Sequence, residues 1–392
     1  MTADAAGPRL DRRRWLQRGC GLWPLSGGWC WSSGAAATPR RHAPAHAGVD
    51  LQLWGYYPWW MREDWRRRRI GLYDRLSVFE IEIGDDGQLL DTQGWPVRWQ
   101  PLGAALRAGG GRLDVTLFLA QAERFERVFG SAERREHLLA QVLALSSPAD
   151  GVNLDVEIYT PLTAAARRGY MAFCTALAAG LHGQRGGASG AHPRAKSLSV
   201  FGVMGAAVDL YERPVQALID HVVVQGYDAH HADSRRAGPV APLRGPYTLT
   251  WERALRHYLA LGWPRHKLLF GLPFYGYEWA TESATPGAAT LGQGRQISYG
   301  AVDERLLPQI RVNARAEVQR HGLRRDAASG SPYYVYRDDG GHWRQGWFED
   351  ETSLAAKLDF VRDEGLGGAA VFPVGYDDGA FDALLQRRFR GS

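Results

Sequence analysis

Three cysteines in 392 residues are too few for a disulfide framework or a cysteine-rich zinc module. No stretch reaches the ~18 uninterrupted apolar residues of a spanning helix, so no membrane span is expected. Strong charge of one sign is also missing: 47 Lys plus Arg face 42 Asp plus Glu, a formal net charge of +5. What the chain has instead is aromatic mass. Its 15 Trp and 16 Tyr, in a composition 45% hydrophobic and 23% charged, suffice for a large core and exclude a disordered chain.

The small basic excess sits mostly at the start. Residues 1–37 hold Arg9, Arg12, Arg13, Arg14 and Arg18 against Asp4 and Asp11, followed by a Gly- and Trp-rich run and by Ala35, Ala36 and Ala37. This is the order of an export signal. Arg12 and Arg13, with Trp15 and Leu16 after them, resemble the twin-arginine type, and cleavage is expected after Ala37. The mature chain then carries 42 basic and 40 acidic residues, which points away from nucleic acid and toward a periplasmic or secreted bacterial protein. Cys20 and Cys30 leave with the leader. The remaining Cys174 lies in an apolar helical stretch and reads as a buried small hydrophobe.

After a linker at 38–49, short β-rich runs alternate with amphipathic helical segments, a pattern that predicts an α/β fold with a parallel sheet. The eight strand candidates are 51–57, 76–83, 113–119, 151–158, 197–203, 221–227, 268–274 and 369–374. Eight such strands over residues 50–392 suit a (β/α)8 TIM barrel. An interval at about 276–348 breaks the period and reads as a small α+β insertion after strand 7. It holds a hairpin from Tyr333–Tyr336 to His342–Trp347 across an Asp- and Gly-rich turn. The segment 183–195, rich in Gly and Ser, reads as a surface loop.

The stretch Asp150-Gly-Val-Asn-Leu-Asp-Val-Glu157 carries the chemistry. Alternation places Asn153, Asp155 and Glu157 on one face and Val152, Leu154 and Val156 on the other. The apolar face meets the helices, so the polar face points into the barrel, where apolar side chains usually fill the space and an unpaired carboxylate is costly. The set rises toward the carboxyl end of its strand, where barrel enzymes keep catalytic groups.

These residues resemble family 18 of the glycoside hydrolases, the chitinase family, whose fourth strand reads Asp-Gly-x-Asp-x-Asp-x-Glu. Val224-Gln225-Gly226-Tyr227-Asp228 is similar to its sixth-strand Met-x-Tyr-Asp, and Gly271–Gly276 to its seventh-strand segment. Gly367-Gly368, with Phe372 four positions on, is similar to its last strand. The resemblance implies a retaining glycosidase in which the substrate's 2-acetamido oxygen attacks the anomeric carbon. It makes Glu157 the general acid and later base, Asp155 the carboxylate that orients the acetamide, and Tyr227 a donor to its carbonyl with Asp228 beside it. No cofactor or metal is implied. The expected partner is a carbohydrate polymer or oligosaccharide, bound by a monomer.

Three departures mark this chain. Asn153 replaces the inner Asp and is expected to donate a hydrogen bond to Asp155. Phe372 stands where the family usually has Trp, and Gln225 where it has Met. These point toward the branch that includes spore-cortex and cell-wall glucosaminidases. Asn153, Gln225, Asp228 and Phe372, with Tyr56 and Trp347, are the expected substrate-binding set. Trp54, Tyr57, Trp59 and Trp60 divide between core and cleft mouth, and of Glu80 and Glu82 at least one reaches the cleft or forms a rim ion pair. His230 and His231 lack the partner motif of a metal site. Arg66–Arg69 reads as a solvated face. Two rival readings use the same residues: a glycan-binding chitinase-like protein, and a hydrolase of another amino-sugar exopolysaccharide.

Overall fold

The computed structural model describes residues 51–184, 195–203 and 210–391. The expected leader with Cys20 and Cys30, the linker, and most of the 183–195 loop lie outside the described residues. The described strands are β1 Gln52–Pro58, β2 Arg75–Glu82, β3 Arg112–Leu119, β4 Gly151–Val156, β5 Ser197–Gly202, β6 His221–Val224, β7 Leu268–Pro273, β8 Tyr275–Thr281, β9 Arg295–Ser298, β10 Arg324–Arg325, β11 Pro332–Arg337, β12 Trp343–Trp347 and β13 Gly368–Phe372. Strands β1–β7 and β13 close into a barrel in the order β1-β13-β7-β6-β5-β4-β3-β2, all neighbours parallel. This is the (β/α)8 barrel that the alternation predicts.

Local chemistry explains the layers. On the outward face of β4, Val152, Leu154 and Val156 are at most 2% exposed. The helix Ala164–His182 begins where the Thr163 side chain accepts the Ala166 N–H at 3.2 Å. It buries Tyr170, Phe173, Cys174, Leu177, Ala178 and Leu181, the spacing of one helical face. Gly169 lets this helix touch its neighbour, because a Cβ there would stand 1.8 Å from the Phe129 carbonyl oxygen. Cys174 is wholly buried, and desolvation pushes its thiol up to about 12. No helix among the described residues is long and apolar enough to cross a membrane.

The barrel lumen differs from the apolar filling expected of it. Arg75 Nη1 donates to Asp114 at 2.5 Å and to Ser197 Oγ at 2.7 Å, with its guanidinium 4.7 Å from the Trp54 ring centre. Ser77 and Thr116 pair at 2.7 Å. These polar side chains are tolerated because register sets each donor opposite an acceptor.

The interval after β7 is a five-stranded antiparallel sheet, order β10-β11-β12-β8-β9, with the helix Ala314–His321. The hairpin of β11 and β12 forms as predicted, with Tyr334 opposite Gly346. A single residue, Phe274, separates β7 from β8, so the insertion stands at the carboxyl end of the barrel. Its core corrects one expectation. Trp347 is 1% exposed, stacked on Tyr333 with ring centres 4.5 Å apart, and packed with Trp279. It has no free face for a sugar, because both faces of this small sheet must bury apolar surface.

Candidate active site

The carboxyl ends of β4 and β6 bring the predicted residues together. Asn153 and Asp155 lie within β4, 1% and 3% exposed, and Glu157 follows its last residue, half-buried. Asn153 does not serve Asp155 as expected. Its Nδ2 donates to Ser199 Oγ of the neighbouring β5 at 3.0 Å and its Oδ1 accepts from the hydroxyl of Tyr56, on the non-adjacent β1, at 3.2 Å. Asp155 Oδ1, though buried, has no hydrogen-bond partner among the described residues.

Burial raises the pKa of Asp155 well above the carboxylate range, and the charges of Glu157 and Glu80 add to it. Burial also pushes Glu157 up to about 7, with Asp228 as the neighbouring negative charge and a Tyr159 hydrogen bond acting the other way. A carboxyl group with that pKa holds a proton near neutrality and can deliver it.

Asp228 sits in the left-handed region, φ 61°, just past β6. That conformation, which Asp tolerates better than most residues, sets its carboxylate against β8, where Tyr275 donates to Oδ1 at 2.6 Å and Tyr277 also bonds. Tyr227 precedes it, 6% exposed and stacked on Phe372 at 5.9 Å. Phe372 is half-buried at the end of β13, ringed by Tyr56, Phe79, Tyr227 and Tyr275 with centres 5.1 to 6.1 Å away. It forms an aromatic floor beside the carboxylates.

Other expected residues sort by depth. Tyr56 is 3% exposed and acts on Asn153, so it supports the site from below and offers a sugar no face. Gln225 accepts from the Tyr159 hydroxyl at 3.3 Å. Trp54 and Tyr57 are buried, whereas Trp59 and Trp60 are half-exposed at the mouth, with Trp60 Nε1 donating to the Tyr376 hydroxyl at 3.2 Å. Glu80 turns inward, and Glu82 forms an ion pair with Arg124. His230 Nδ1 bonds the Pro239 carbonyl at 2.8 Å, and His231 Nδ1 accepts the Asp233 N–H at 3.3 Å. Arg66, Arg67 and Arg68 pair with Glu63 or Asp64.

Two residues escaped the sequence reading. Tyr159 continues the alternation of Asp155 and Glu157 beyond the strand, and Tyr277 lies two residues after Tyr275. Period-two spacing was the available signal for each.

An acid at the carboxyl end of a barrel strand, paired with a buried carboxylate and floored by aromatic rings, defines a glycoside hydrolase on a (β/α)8 barrel. Residues 114–377 match the model of glycosyl hydrolases family 18, and the chain belongs to that family. It is a glycoside hydrolase of the chitinase type. Among curated relatives it is 27% identical over 331 residues to YdhD of Bacillus subtilis, whose name describes a sporulation-specific glycosylase, covering 80% of this chain and 69% of that one. It is 26% identical over 347 residues to a Caenorhabditis elegans protein named as an endochitinase, covering 84% of this chain and 50% of the relative. The fold matches a Cycas revoluta family 18 chitinase with a TM-score of 0.70 at 18% identity, covering 86% of this chain and 100% of the other. It also matches the Bacillus megaterium spore cortex-lytic enzyme SleL with a TM-score of 0.66 at 19% identity, covering 91% and 79%.

Proposed function

We propose that this protein is an exported retaining glycosidase that hydrolyses β-linked N-acetylglucosamine-containing glycans, chitin oligomers or peptidoglycan, by substrate-assisted catalysis. The observation that carries the reading is Glu157, with its pKa near 7, two residues after buried Asp155 with its unpartnered Oδ1. Glu157 gives its proton to the glycosidic oxygen while the substrate's acetamide oxygen attacks the anomeric carbon, and the bond to the leaving sugar breaks. Asp155 accepts the acetamide N–H and faces the oxazolinium charge. Tyr227 donates its hydroxyl to the acetamide oxygen. Glu157, now ionised, takes a proton from water, which opens the ring with net retention.

The names of the relatives, a sporulation-specific glycosylase and an endochitinase, favour cell-wall glycan or chitin as substrate. The test sets the wild type and Glu157→Gln against a panel of chitin oligomers, peptidoglycan and another amino-sugar exopolysaccharide. The expected result is retention, no turnover of substrates lacking the 2-acetamido group, and a loss of roughly 10²–10⁴-fold in kcat for the variant. Undiminished hydrolysis by Glu157→Gln would overturn the assignment. Binding by the wild type without product release would mark a glycan-binding protein instead.

A further inference from the structure

Tyr159 has no part in that mechanism, yet it touches the acid. The chain from Glu157 to Thr163 is anchored at both ends. The Glu157 N–H donates to the Leu119 carbonyl of β3 at 2.9 Å, and Thr163 gives its N–H at 2.6 Å and its hydroxyl at 2.5 Å to Glu126 of the helix Ala122–Phe129. Tyr159 lies within that short span, half-buried. Its hydroxyl donates to Gln225 Oε1 at 3.3 Å and also hydrogen-bonds the Glu157 carboxyl group. Gln225 is fixed in turn just past β6, 6% exposed, its N–H on the Gly202 carbonyl of β5 at 2.7 Å. The bond from Tyr159 to Gln225 thus ties the segment after β4 to the segment after β6, across β5.

Glu157 needs such a contact. The charged groups that interact with it are acids: Asp155 on its own strand, Glu80 of β2 and Asp228 past β6. Tyr56 and Tyr227 also feel its charge. Burial and these carboxylates oppose the negative charge that Glu157 acquires on giving up its proton, and the Tyr159 hydrogen bond acts in the opposite sense. A phenol hydroxyl has one proton to donate, and an amide oxygen or a carboxylate oxygen can only accept it. Gln225 Oε1 and ionised Glu157 therefore compete for the same donor. The charge-assisted bond to the carboxylate is the stronger of the two.

We propose that Tyr159 is a positioning residue of the active site, its hydroxyl donated to Gln225 while Glu157 is protonated and turned to the Glu157 carboxylate once the acid has delivered its proton. Only the hydrogen bond moves, and the proton stays on the tyrosine oxygen. Gln225 acts through Tyr159, as the acceptor that keeps the hydroxyl beside Glu157 until charge forms there. The catalytic consequence rests on the mechanism proposed above; the exchange of hydrogen bonds does not.

The test is therefore built on two readouts. Carboxyl 13C NMR of the ligand-free protein follows the Glu157 titration in the wild type, Tyr159→Phe and Gln225→Met. Tyr159→Phe keeps the ring and removes the donor, so Glu157 should titrate at higher pH. Gln225→Met keeps the length and removes the competing acceptor, so the hydroxyl goes to Glu157 and the titration should move to lower pH. The double variant should titrate as Tyr159→Phe does, because Gln225 acts only through the hydroxyl. A Glu157 titration unmoved by Tyr159→Phe, or a Gln225→Met shift that persists without the hydroxyl, would overturn the proposal. In kinetics, Tyr159→Phe should lose about tenfold in kcat with KM within about threefold, and the alkaline limb of kcat/KM should move to higher pH. A kcat loss with an unmoved limb would make Tyr159 merely structural. The expected NMR shifts in a protein that turns over no glycan would overturn the function proposed above and support the exchange of hydrogen bonds.

Discussion

The negative charge of Asp228 adds to burial in raising the Glu157 pKa, and that repulsion has a direction that pH can read. Glu157 must hold its proton to act as acid, so kcat/KM should fall as pH rises through about 7. Asp228→Asn removes a like charge, lowers the Glu157 pKa and should shift that limb to lower pH in a pH–rate profile. Stability follows the same sign. A carboxyl group whose folded pKa is raised favours folding below its unfolded value, ~4.3, and this advantage is lost as pH climbs toward about 7. Glu157→Gln should therefore melt higher relative to the wild type at pH 8 than at pH 4. At this scale strand alternation sufficed to put Asn153, Asp155 and Glu157 on one face. It was silent on Asn153's partners, because Ser199 and Tyr56 arrive from β5 and β1.

Elements decide which side chains reach the cleft. The bulge in β2 sets two consecutive residues inward, and strict alternation along the chain hides it, since a bulge exists only against a paired strand. Phe372 illustrates the opposite case. Its place at the end of the last strand was legible, and the four rings around it make it the floor of the cleft. Phe372→Ala should raise KM for oligosaccharides by about tenfold, the ~1.4 kcal/mol that one ring contact supplies. Trp347 was misread because aromatic residues in a hairpin look alike from sequence, whether they face solvent or a neighbouring sheet. Buried against Tyr333 and Trp279, it should cost about 3–5 kcal/mol on substitution by Ala, read as a drop in melting temperature. Below that temperature KM should stay near wild type, which a residue contacting sugar would not allow.

At the scale of the whole molecule, the barrel was legible because eight β-rich runs alternate with amphipathic helices, and only a few closed architectures accept that order. The proposed export belongs to this scale as well. Lysine substitutions at Arg12 and Arg13 should keep the protein from accumulating outside the cytoplasm, measured by fractionation. The sequence by itself determined the strand order, the catalytic strand and the face on which its acids lie, because these follow from periodicity along one chain. Tertiary structure alone decided the polar lumen beneath the site, the inward turn of Glu80, the tyrosines holding Asp228 and the burial of Trp347. Each of these depends on register between strands distant in sequence, and register is a property of the closed barrel and its sheet, written in no single segment.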